Sequence, residues 1–139
     1  MKQAKALSFE QALDLLPQEF YPYSRINSRR QQIVTPYGIM TFHQSSTLRD
    51  GGWKTSHNEE ELIDEVSYVL FALGYEGIII LPSSLILNFK GKYESRYHHN
   101  GVPIHIYKEC VDGKTEYYLR GKDGIKFNLT DQFIPNKTI

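Results

Sequence analysis

Two Asp-Gly pairs constrain this chain more than any other feature in it. Asp112-Gly113 separates Pro103–Cys110 from Thr115–Arg120, and Asp123-Gly124 directly precedes Ile125–Leu129. The tight hairpin turn that matches strand twist requires positive φ at its centre, and Gly, Asn and Asp tolerate that best. Three alternating stretches joined in this way predict an antiparallel meander.

Other elements follow from caps and breakers. Ser8 with Gln11 forms a capping box ahead of Phe9, Ala12, Leu13, Leu15 and Leu16, so a short helix is expected before Pro17 and Pro22. Residues 23–43 read as β: Gln31–Thr35 and Gly38–His43 flank the turn Thr35-Pro-Tyr-Gly38. Residues 44–57, which include Asp50-Gly-Gly52, read as loop. Leu62, Ile63, Val66, Val69, Leu70 and Leu73 recur at helical spacing after Ser56 and Glu59, and Gly74 follows them. That pattern predicts a helix over 58–73. Glu76–Leu81 reads as a buried strand, and Leu85–Phe89 as either a short helix capped by Ser83 or a further strand.

The expected architecture is α+β: a mostly antiparallel sheet or open β-barrel of about six to seven strands with two helices. At 139 residues the chain fits a single globular domain, 1–139, with 135–139 as a frayed tail. Apolar residues at 40% and charged residues at 23% are ordinary for a globular protein. A lone cysteine, Cys110, excludes an intrachain disulfide and a multi-cysteine zinc site. No apolar run has signal-peptide or membrane-spanning length, so the expectation is a cytoplasmic protein with no membrane partner.

Formal net charge is zero, which argues against a polybasic binder; any nucleic-acid role must come from segregated charge. Segregation is visible. Residues 88–101 interleave Lys90, Lys92 and Arg96 with Phe89, Tyr93 and Tyr97, between Asn88 and Asn100. Cations neutralise phosphates and flat rings stack on bases. Arg25, Arg29 and Arg30 form a second basic group, and Arg49, Trp53 and Lys54 border the Gly51-Gly52 loop. Arg makes bidentate contacts with phosphate or guanine edges. The reading is a small nucleic-acid-binding domain directed to DNA rather than RNA. Its site comprises Arg25, Arg29, Arg30, Arg49, Trp53, Lys54, Lys90, Lys92, Tyr93, Arg96 and Tyr97, with no cofactor and no metal.

Two alternatives accompany it. A small nuclease would use His43, His57, His99 or His105 with a nearby Lys or carboxylate. The histidines show no ligand-type spacing, and the adjacent His98 and His99 would point to opposite faces of a strand. An Asp…Glu-x-Lys metal site is matched poorly by Lys108 with Glu109, or by Lys114 with Glu116. The other alternative is a protein-interaction or inhibitor domain that presents the acidic helix of Glu59, Glu60, Glu61, Asp64 and Glu65 to a basic partner. Cys110 beside Glu109 lacks the electropositive setting of a reactive thiol, and no phosphate-loop glycine pattern occurs.

Overall fold

The computed structural model describes residues 6–27, 31–89, 101–121 and 124–136. Within them lie ten strands and three α-helices. The strands are β1 (Ser24–Asn27), β2 (Gln32–Thr35), β3 (Gly38–Ser45), β4 (Trp53–Asn58), β5 (Val66–Leu73), β6 (Gly77–Pro82), β7 (Gly101–Val111), β8 (Lys114–Arg120), β9 (Lys126–Asn128) and β10 (Phe133–Pro135). The helices are α1 (Phe9–Asp14), α2 (Glu59–Asp64) and α3 (Ser83–Phe89). No helix among the described residues is long and apolar enough to cross a membrane.

The α+β class holds, but the strands form two open sheets and not one sheet or a closed barrel. One sheet has six strands in the order β1-β2-β3-β5-β6-β10, and the other has four in the order β4-β7-β8-β9. All pairs are antiparallel except β3 with β5, where Ile39 meets Val66 and Ser45 meets Leu73. The chain between those parallel neighbours enters the other sheet as β4 and returns through α2.

The six-stranded sheet is covered on both faces. Ile33, Met40, Phe42, Leu70, Ala72, Ile78 and Ile80 pack against Leu7, Ala12, Leu13 and Leu16 of the N-terminal segment and against Phe20. Val66, Val69, Phe71, Leu73, Ile79 and Leu81 face Trp53, Val102, Ile104, Ile106, Tyr117 and Leu119 of the four-stranded sheet. Leu62 and Ile86 bring α2 and α3 onto this second core. Its rings stack in series, Trp53 on Tyr117 and Tyr117 on Phe133. Tyr117 also donates to Glu76 at 3.0 Å, and burial followed by the Glu76 charge pushes its phenol pKa upward.

Double coverage corrects the expected helix at 58–73. Only Glu59–Asp64 is helical; Val66–Leu73 is strand. A strand buried on both faces loses its polar alternation, and its continuous apolar run satisfies a helical template by accident. The cap is Asn58, whose side chain accepts from the Glu61 N–H at 3.0 Å, not Ser56, which lies inside β4. The expected loop at 44–57 likewise contains β4. Of the expected frayed tail, Pro135 pairs with Gly77 and the Asn136 N–H donates to the Glu76 carbonyl at 2.8 Å, while 137–139 lie outside the described residues.

Other expectations stand. The capping box of Ser8 and Gln11 is complete. Asp112 and Gly113 both have positive φ, 52° and 78°, at the β7–β8 turn. Residues 83–89 form a helix, where the Ser83 hydroxyl donates to the Val66 carbonyl at 2.6 Å. In the second Asp-Gly pair, Asp123 lies outside the described residues, but β8 and β9 pair antiparallel.

Candidate functional site

Much of the expected site, namely Arg29, Arg30, Lys90, Lys92, Tyr93, Arg96 and Tyr97, lies outside the described residues, as do His98 and His99. The rest is dispersed. Arg25, on edge strand β1, forms an ion pair with Glu10 of α1 and lies 5.5 Å from the centre of the Phe9 ring. Arg49 is exposed in the connection between β3 and β4. Trp53 corrects its expected role as a base contact: it is 0% exposed, packs in the second core, and its indole N–H donates to the Thr47 hydroxyl at 3.0 Å. Of its neighbours only Lys54 points outward, because side chains alternate along β4.

The outward face of the four-stranded sheet gathers several cationic and aromatic side chains. Register places Lys54 opposite His105, Tyr107 opposite Tyr118, and Arg120 opposite Lys126. These residues share one face, since their chain neighbours Trp53, Ile106, Tyr117 and Leu119 belong to the core on the other. Tyr107 and Tyr118 stack with ring centres 5.6 Å apart and planes 25° apart. Lys126 lies 4.3 Å from the Tyr118 ring centre and 3.3 Å from a Glu109 carboxylate oxygen. Glu116 accepts from Asn128 at 2.7 Å and from Tyr118 at 3.1 Å. Lys54 and Arg120 have no ion pair among the described residues.

At one end of this face is a cavity of about 310 Å³ lined by Asp50, His105, Tyr107, Lys108, Arg120 and Gly124. Among the described residues, the buried Nε2 of His105 has no hydrogen-bond partner. Burial first, then the charges of Lys54 and Arg120, hold the His105 pKa below its ordinary value, with Asp50 acting the other way. Gly52 matters here. A Cβ at this position would stand 2.9 Å from the Ile106 carbonyl and 3.1 Å from His105 Nε2. Only a bare backbone packs this closely against the imidazole.

No protein family, curated protein or solved structure matches this chain.

A second polar cluster lies on the opposite, inner side of β4. His43 of β3 and His57 of β4 approach with Nε2 and Nδ1 2.9 Å apart. The remaining nitrogen of His57 meets Glu61 of α2 at 3.1 Å, and that of His43 meets the Thr55 hydroxyl at 2.9 Å. Burial first, then the neighbouring His57, lowers the His43 pKa to about 4. Both histidines were individual candidates in the sequence, but nothing in their spacing pairs them. The β3–β4 crossover does so, and the i, i+4 relation of His57 and Glu61 is the single local signal of the cluster. No group of three or more His, Cys, Asp or Glu among the described residues is arranged to hold a metal ion.

Proposed function

We propose that the protein is a nucleic-acid-binding domain and that the outward face of β4, β7, β8 and β9 engages a single strand. The observation that carries this reading is that Lys54 and Arg120, without an ion pair among the described residues, flank the His105–Tyr107–Tyr118 ring series on one face. Backbone phosphates are met by the two cations, and a base enters the cavity against Tyr107, where Asp50 offers a polar edge. A single strand fits better than a duplex. The chain balances 16 basic against 16 acidic residues, so stacking must supply what bulk charge does not. DNA is the target favoured by the sequence reading.

The test is an anisotropy titration with single-stranded DNA, single-stranded RNA and duplex DNA at low salt. Binding of a single strand that is weakened by Lys54→Glu and by Arg120→Glu is the expected result; indifference of binding to both substitutions defeats the proposal.

The nuclease reading is weaker on these residues. Two imidazoles bonded to each other do not present a separate base and acid to a phosphate, and the acidic first turn of α2 lies beside them. The acidic-helix reading is weakened because Glu61 already holds His57.

A further inference from the structure

We propose that Thr55 is the nucleophile of a carboxylic-ester hydrolase site, activated through His43, His57 and Glu61. This rests on the inner side of β4 and is independent of nucleic-acid binding on its outer side.

Hydrogen-bond polarity fixes the direction of the relay. A carboxylate only accepts, so His57 donates from Nε2 to Glu61 and its Nδ1 is an acceptor. His43 must then donate from Nε2 to that Nδ1, which leaves His43 Nδ1 as an acceptor. Among the described residues, the Thr55 hydroxyl is the group placed to donate to it, at 2.9 Å. A nucleophile bonded to a base, with that base oriented by a further group, is the arrangement that activates a hydroxyl.

The surroundings support chemistry over simple bracing. Trp53 leads the inner face of β4 and continues the core, whereas Thr55 and His57 interrupt it with polar groups. Apolar side chains would join the two sheets there without the desolvation penalty of a polar chain. The cluster is reached from solvent: His57 and Glu61 side chains are 12% and 31% exposed, and His43 and Thr55 are half-buried. The depressed basicity of His43 keeps its imidazole neutral, as an acceptor must be.

The reaction balances without a co-reactant other than water. Thr55 Oγ attacks the ester carbonyl carbon, and its proton passes to His43 Nδ1. The carbon–oxygen bond to the leaving alcohol then breaks, and that alcohol takes the proton from His43. Water attacks the resulting acyl-threonine, gives its proton to His43 Nδ1, and the proton returns to Thr55 as the carboxylic acid leaves. Glu59, Glu60 and Glu61 in the first turn of α2 bias the site against polyanions and toward a neutral or cationic ester.

The experiment uses the full chain with p-nitrophenyl acetate, followed by peptide mapping of the acetyl group. Turnover should fall at least about a hundredfold in Thr55→Ala and survive in Thr55→Ser. His57→Gln should lower it while Thr55 still becomes acetylated, and single-strand binding should be unchanged in Thr55→Ala. Absence of turnover in the native chain, equal turnover in Thr55→Ala, or an acetyl adduct confined to other residues overturns the proposal.

Discussion

The His43 ring meets the His57 ring edge-on, with centroids 5.1 Å apart and planes 86° apart. Each belongs to a different sheet, so the contact ties β3 to β4. It should also make stability depend on pH. The native pKa of His43 is about 4 against an ordinary 6.5, so the unfolded chain binds the proton more readily. The contribution is therefore fully present above pH 6.5 and is lost as pH falls toward 4. The complete effect is on the order of 3 kcal/mol. Urea unfolding across that window should show a decline that His43→Gln flattens, with carboxylate titrations common to both proteins.

Salt should report how many phosphates the outward sheet face holds. For a single strand, each neutralised phosphate adds about −0.7 to the slope of log affinity against log salt. Arg120→Ala should make the slope shallower by about that amount, and Lys54→Ala likewise. Tyr107→Ala should weaken binding by about 1–3 kcal/mol with the slope preserved, because it removes stacking and not charge.

Trp53 gives an internal control. It is the sole tryptophan and is 0% exposed. Its emission should be that of a buried indole and should not shift when a single strand is added. Trp53→Ala should cost about 3–5 kcal/mol in chemical denaturation, since it empties the centre of the second core. Lys108, which lies 5.8 Å from the indole centre, would lose its ring contact as well.

Gly77 sets the attachment of β10. A Cβ there would run into the Ile134 carbonyl and the Phe133 ring. Backbone cannot yield as a flexible side chain does, so Gly77→Ala should cost about 1–3 kcal/mol. Limited proteolysis should then cut near Phe133 sooner than in the parent protein.

What the chain revealed beforehand was its local grammar. The Ser8–Gln11 box and the Asp112-Gly113 turn are decided within four residues, and both are present. Val66–Leu73 reads as helix because the segments that cover its two faces are distant in sequence: Leu70 and Ala72 share a core with Leu7 and Leu13, while Val69 and Phe71 share one with Trp53 and Ile104. Val66, Val69 and Phe71 carried a β-branched and aromatic hint that apolar spacing outweighed. The same distance hid the histidine relay, since residues 43 and 57 meet only after β4 joins the other sheet. Trp53 is expected as a base contact from its place beside Lys54, and β4 instead makes it a core anchor.

The insertion of β4 between two parallel neighbours has a kinetic consequence. Closing β3 onto β5 requires the intervening segment to have already docked, or to dock at the same moment, against β7 from much later in the chain. Neither sheet is a self-sufficient half that could mature ahead of the other. Assembly should therefore be slow for a chain of this size, with one cooperative transition dominated by pairings between remote segments. A fragment ending before β7 should emerge from the ribosome with an unsatisfied strand edge and remain a client of chaperones until synthesis is complete.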